Sequence, residues 1–273
     1  MGLRVNTNIA SLTAQRNLTT VTGRLGGNYS RLSSGLRIAT AADDAAGLAI
    51  SERMRSQIRS YGAAARNAQD GISLVQTAEG ALNETSNILS RMRELAVQSA
   101  NGTLSDTDRD TINQEVTALV SELDRIASAT NFNGIPLLDG TSSTTSIQVG
   151  LDSGETIDIS LQDTTSGTLG VDTVDVSTDT LASAALADID DAIDTVNTSR
   201  GSLGAVQNRL TSSYTSILNA RENLSAAESR IRDVDVASET ADLTRNSIMQ
   251  QAAVSVLSQA NVQPQIALKL LQG

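Results

Sequence analysis

The chain of 273 residues contains no cysteine, no histidine and no tryptophan, and only one phenylalanine and three tyrosines. Without cysteine there is no disulfide, thiolate metal site or cysteine nucleophile. Without histidine, the Ser–His and Cys–His nucleophilic systems, the usual zinc-hydrolase motifs and the commonest general base near neutral pH are excluded. Carboxylates alone are the remaining catalytic option, and no catalytic, cofactor-binding or metal-ligating residue is assigned. The scarcity of aromatics leaves Leu, Ile, Val and Ala to build the core in thin layers between helices. Each large aliphatic contributes roughly 1.5–3 kcal/mol when fully buried. A deep ligand pocket, commonly lined by aromatics, is disfavoured.

Long apolar runs are also missing. None approaches the ~20 residues of a membrane span, and Met1 to Ala10 holds no apolar signal-peptide region. Neither membrane insertion nor secretion with signal cleavage is expected. The formal net charge is −11, and no Lys or Arg occurs between Ile126 and Ser199. That acidic middle argues against a nucleic-acid-binding face. The basic residues near the start (Arg4, Arg16, Arg24, Arg31, Arg37, Arg53, Arg55, Arg59 and Arg66) are spaced along helical turns without interleaved aromatics. They read as a solvated or inter-subunit face rather than a phosphate-binding one.

What is present is a heptad. Ile189, Val196, Leu203, Leu210, Ile217, Leu224 and Ile231 follow one another at steps of seven, which keeps one side-chain row facing a partner helix. Three residues after each come Ala192, Ser199, Val206, Ser213, Ala220, Ala227 and Val234, mostly small, so neighbouring backbones can approach closely. A second row, Met54, Tyr61, Ala68, Val75, Leu82, Leu89 and Ala96, predicts a helix from about Asp43 to Ser99. If unbroken it spans roughly 85 Å, with Gly62, Gly71 and Gly80 as places to bend. The fold class expected is mainly α, a coiled-coil-like long-helix bundle rod with paired terminal helices and a small β-hairpin region.

Between and beyond these helices the pattern changes several times. An earlier helix over Asn8 to Leu32 carries Ile9, Leu12, Leu18, Val21, Leu25 and Leu32, interrupted by Gly23, Gly26 and Gly27. Each glycine costs a helix interior roughly 1 kcal/mol relative to Ala, so this helix depends on a partner. Ser33-Ser34-Gly35 ends it. Asn101-Gly102 is a stop and Ser105, Asp106 and Asp108 a restart, opening a helix with Ile112, Val116, Leu119, Leu123 and Ile126 inward. Asn131-Phe132-Asn133-Gly134 and Pro136 end helical structure. Strict alternation follows in Ile147, Val149, Leu151 and then Ile157, Ile159, Leu161, a β-hairpin whose apolar face must lie on the helices. Thr164 to Thr180 reads as a Ser/Thr/Asp/Gly loop. The last helical segment, Glu239 to Ala260, is closed by Pro264, and Ile266, Leu268, Leu270 and Leu271 make an apolar tail. Chain ends are ordinarily polar and loose; apolar ends imply pairing with each other and with neighbouring subunits.

Several strings, in this order and spacing, resemble bacterial flagellin: RLSSGLRI from Arg31, DDAAGLAI from Asp43, ARNAQDGISLVQTAEGALNE from Ala65, RELAVQSANGT from Arg93 and FNG from Phe132. GAVQNRL from Gly204, SRIRDVD from Ser229 and QQAAVSVLSQAN from Gln250 continue them. The resemblance implies an inner domain made of both termini, residues 1–42 with the connector and 236–273. It implies an outer-tube domain over 43–235, including a hairpin at about 144–162 and a short variable loop at about 163–180. The outermost domains of larger flagellins are missing, and without histidine so is the metallopeptidase insertion of some members.

The function so implied is that of a structural subunit polymerising into the extracellular flagellar filament used for motility, through contacts that do not close into a ring. The alternative is a hook-filament junction or related axial protein, also non-enzymatic. Polymerisation is assigned to the terminal residues Ile9, Leu12, Leu18, Leu25, Leu32, Leu257, Ile266, Leu268, Leu270 and Leu271. Positions matching those bound by the host Toll-like flagellin receptor are Arg91, Leu95 and Glu115. Further partners implied are copies of the chain itself, the flagellar cap and hook-junction proteins, and a cytoplasmic export chaperone on the segment from about Glu239, with export through the flagellar type III apparatus. No cofactor, nucleic acid or membrane is among them. Asp43 and Asp44 read as helix-start residues rather than a catalytic pair, and the hairpin acids Asp152, Glu155 and Asp158 lack calcium-loop spacing.

Overall fold

The computed structural model describes residues 7–272, and side chains through residue 263. The chain divides into two compact units, Met1–Ser56 with Asn223–Gly273, and Gln57–Glu222. The division falls inside the two long helices rather than in the connectors near residues 42 and 236.

In the first unit, α1 runs over Ile9–Ser34, opened by the Asn8 side chain, which accepts a hydrogen bond from the Ser11 amide, and closed by Gly35 in the left-handed conformation. It passes unbroken through Gly23, Gly26 and Gly27. The helix α2, Ala45–Ser99, starts just after the two carboxylates instead of with them. Asp44 caps it, its side chain accepting the Gly47 amide at 2.9 Å. Asp43 holds the preceding turn, accepting from the amide and hydroxyl of Thr40. The last helix covers Val236–Gln272 and continues past Pro264, where the sequence predicts a stop. It packs antiparallel to α1: Asn8 donates to the Ala260 carbonyl at 2.7 Å, and Ser11 to Asn261 at 2.7 Å.

The inward positions of that pair are heptads on both sides. On α1 they are Ala14, Val21 and Asn28 in one row and Leu18, Leu25 and Leu32 in the other. The C-terminal helix presents Glu239, Asn246, Ala253 and Ala260 with Leu243, Gln250 and Leu257. A short antiparallel link, Leu36 with Asp233, ties the ends of the connectors, and the Arg37 amide donates to the Arg232 carbonyl at 2.7 Å.

The second unit is a helix bundle with a hairpin laid on it. From α2, Ala68, Val75, Leu82, Leu89 and Ala96 are fully enclosed, which is the heptad row read from the sequence. The helix runs unbroken through Gly71, which makes room for its neighbours, because a Cβ there would stand 3.1 Å from Ile147 and 3.3 Å from Leu210. The third helix, α3 over Asp106–Ala129, opens with a capping box in which the Ser105 and Asp108 side chains each take the other's backbone amide. It buries Ile112, Val116, Leu123 and Ala127.

Two small antiparallel hairpins follow α3. The first, β1 (Asn131–Phe132) with β2 (Ile135–Pro136), turns at Asn133-Gly134, where φ is 51° and 80°. The sequence shows only the end of a helix there. The second pairs β3 (Thr144–Gln148) with β4 (Thr156–Ser160), Ile147 opposite Ile157, and sends Ile157, Ile159 and Leu161 into the core.

The stretch from 164 to 180 departs from the loop expected. It contains a one-turn helix, α4 (Ser166–Leu169), and buries Leu169, Val171 and Val176 in the main core. Polar anchors hold it there: Asn113 Oδ1 accepts the Val176 amide at 3.0 Å, and the buried Ser99 hydroxyl donates to the Val176 carbonyl at 2.5 Å. The fifth helix, α5 over Asp179–Arg232, buries Ile189, Val196, Leu203, Leu210 and Ile217. Leu224 and Ile231, later in the same row, are only half-buried. The C-terminal helix, Val236–Gln272, is α6.

Candidate functional site

Two surfaces carry the residues that sequence singled out. The first is the α1–α6 pair. Its seam buries Leu25 and half-buries Leu18, Leu32 and Leu257, so these four hold the two helices of one chain together. Ile9 and Leu12 face outward, 61% and 52% exposed. Ile266, Leu268, Leu270 and Leu271 lie outside the residues whose side chains are described. Along α6, Ile248 and Val256 are 61% and 58% exposed, and Val236, Val254 and Val262 are exposed as well. A helix with apolar residues both in and outside its packed seam has no single buried stripe.

The seam also contains a feature no apolar pattern announces. Asn28, Glu239 and Asn246 are all buried. Asn28 Nδ2 donates to Glu239 Oε1 at 2.5 Å, and Asn246 Nδ2 donates to Asn28 Oδ1 at 2.8 Å. Arg31 stands 3.9 Å from the same Glu239 oxygen. The two sides of this contact are separated by more than two hundred positions and are polar, so hydrophobic periodicity gives no signal for them; only their heptad phase does.

The second surface lies on the bundle. Arg91 on α2 directs Nε and Nη2 to one oxygen of Glu115 on α3, at 3.1 and 3.0 Å, and Nη1 to Glu94 at 3.0 Å. The hydrogen bond to Glu94, then that to Glu115, push the guanidinium pKa above its ordinary value. Arg91 and Glu115 are therefore brought together as an exposed ion pair. Leu95 is not part of that surface. It is 2% exposed and packed in the main core, because it lies three residues after the buried Met92 and beside the buried Ala96. Four-residue spacing from Arg91 puts it on the same side of the helix but turned far enough inward to be covered. A neighbouring pair, Arg93 with Asp190, links α2 to α5 at 2.6 and 3.2 Å.

Of the acidic residues singled out from the sequence, Asp43, Asp44, Glu155 and Asp158 have structural partners. Asp43 is held below the ordinary carboxylate range chiefly by the Thr40 amide and hydroxyl. Ser146 donates to Asp158 at 2.6 Å, and Glu155 accepts the Asp152 amide at 3.1 Å. Among the described residues no group of three Asp or Glu is placed to hold a metal ion, and no helix is long and apolar enough to cross a membrane.

Aliphatic-cored long helices, with a terminal pair that keeps apolar residues outside, define a structural helical protein built to associate. Comparison with known proteins gives the family. Residues 5–143 match the bacterial flagellin N-terminal helical region and residues 186–271 the bacterial flagellin C-terminal helical region. Flagellin of Halalkalibacterium halodurans is 48% identical over 98% of this chain and 99% of its own length. That of Bacillus subtilis is 43% identical over 99% and 100%. Among solved structures, Bacillus cereus flagellin is 37% identical with a TM-score of 0.52, covering 56% of this chain and 88% of that one. The chain belongs to the bacterial flagellins: it is a structural protein, not an enzyme, that self-assembles into the extracellular flagellar filament.

Proposed function

We propose that the α1–α6 pair forms the inner domain of the filament, with residues 1–42 and 236–273, and that its exposed apolar residues are the contacts between subunits. Residues 43–235 then form the outer tube. The supporting observation is the exposure of Ile9, Leu12, Ile248 and Val256 on helices that are already paired along their other side. Burying such a residue against a neighbouring subunit contributes roughly 1.5–3 kcal/mol, and repetition along the filament multiplies the effect. The apolar tail Ile266, Leu268, Leu270 and Leu271 belongs to the same surface by sequence. The test is seeded elongation of chains lacking everything before Ser33 or after Asp235: neither truncation elongates, and both remain helical. Filaments of ordinary length from both would overturn the assignment.

The exposed Arg91–Glu115 pair supports a second reading, that of the surface recognised on the monomer by the host Toll-like flagellin receptor. The ion pair positions the guanidinium before contact, and Leu95 supports the helix from below instead of touching the receptor. Export through the flagellar type III apparatus, a cytoplasmic chaperone on the segment from Glu239, and growth beneath cap and junction proteins complete the proposal. A chaperone has in Ile248, Val254 and Val256 exposed apolar side chains of α6 to cover before assembly.

A further inference from the structure

We infer that Asn28, Glu239 and Asn246 set the register of the terminal helix pair. Apolar burial alone leaves the register open. The inner rows of α6 contain Leu243, Ala253, Leu257 and Ala260. The inner rows of α1, Ala14, Val21, Leu18, Leu25 and Leu32, are aliphatic and repeat every seven residues, so a slip of one heptad would again meet aliphatic side chains.

The polar residues remove that degeneracy. In the observed register the buried amide of Asn28 lies between two partners, donating to Glu239 at 2.5 Å and accepting from Asn246 at 2.8 Å. A slip in one direction places Asn246 between Ala14 and Val21; a slip in the other moves Asn246 into the place of Glu239 and Ala253 into that of Asn246. Each alternative buries a polar group without its partner, which costs more than a methylene-scale change in packing. A single buried polar residue fixing the register of a coiled coil is the best-attested use of such groups. Arg31, 3.9 Å from Glu239 and 4.0 Å from Asp43, extends the set to the connector, so the register is referenced to the turn before α2. The consequence for assembly rests on the reading that the exposed apolar residues of α6 are the subunit contact: the register fixes their height along α1.

Because the chain has no cysteine, register can be read by disulfide capture in full-length filaments grown from seeds. Ser11 and Asn261 adjoin in the observed register, so S11C with N261C reports it, and S11C with V254C reports a slip of one heptad. Intrachain disulfides are scored as monomers on non-reducing gels. With the triad intact, the first pair should close at least about tenfold more than the second. With N28L, E239L and N246L combined, the two yields should come within about threefold. N28D should also lose the preference, by placing a carboxylate against Glu239. N28D with E239Q should restore it, since the carboxylate introduced by N28D then accepts from the amides on both sides. An unchanged preference in the leucine variant, or no rescue by E239Q, would overturn the inference. If the leucine variant does not elongate, the N28D and N28D/E239Q pair decides, and a chain that elongates with scrambled register still separates this proposal from that of the assembly surface.

Discussion

Ser166 donates both its backbone N–H and its hydroxyl to the carboxylate of Asp124, each at 2.8 Å. This contact pins α4, a turn with no side-chain cap of its own, onto α3, close in the chain to the buried Leu169 and Val171. Asp124→Ala should leave the buried Ser166 unpaired and lower unfolding free energy by about 1–3 kcal/mol. Asp124→Asn keeps one acceptor and should cost less. Urea denaturation followed by circular dichroism checks both, and a midpoint for Asp124→Ala equal to the parent's would show that the hydrogen bonds contribute little.

The heptad rows were legible because seven-residue repetition survives over many turns: Leu82, Leu89, Ile189, Val196 and Leu203 all proved to be core. The segment from 164 to 180 was not legible. Leu169, Val171 and Val176 are isolated among Ser, Thr, Asp and Gly, so they show no period, and only the three-dimensional closeness of Asp124, Asn113 and Ser99 reveals why they are buried. Leu95 was readable in principle. The row through Leu89 and Ala96, with Met92 beside it, already defined the inward side of α2. The Asn28–Glu239–Asn246 set was hidden for the opposite reason, since polar residues at inner positions look like breaks in a pattern.

Leu95 and Arg91 should behave differently for that reason. Arg91→Ala removes an exposed ion pair, should leave the urea midpoint close to the parent's because solvent already screens that pair, and should weaken receptor binding roughly ten- to several-hundredfold. Leu95→Ala should cost about 2–5 kcal/mol of stability with little change in the affinity of the folded fraction. Receptor titrations of the two monomers, paired with denaturation curves, test this; unchanged affinity in Arg91→Ala would remove that surface from the proposal.

Acid should loosen the connector of the first unit. Glu52 accepts from Arg232 at 2.6 Å and Arg55 at 2.8 Å, and these bonds, that from Arg232 foremost, hold its pKa below the ordinary 4.5. Asp43 is likewise held below 3.8 by Thr40. A carboxylate whose folded pKa is depressed contributes stability above its unfolded value and loses it as pH falls through the folded one. Melting temperature should therefore decline below about pH 4.5, and Glu52→Gln should make the decline shallower. A Glu52→Gln acid limb parallel to the parent's would show that the contact does not couple to folding.

The central claim, that the exposed apolar residues of α6 join subunits while the seam joins helices within one, is tested most directly by placing charge on those exposed residues. Ile248→Asp combined with Val256→Asp alters two exposed residues and no described core contact. The measurement is the critical concentration for elongation from preformed seeds, read by sedimentation and negative-stain imaging. The account predicts unchanged helix content with a critical concentration raised at least about a hundredfold, or no elongation, since two residues each contribute roughly 1.5–3 kcal/mol when buried. Filaments growing at the parent's critical concentration would contradict it.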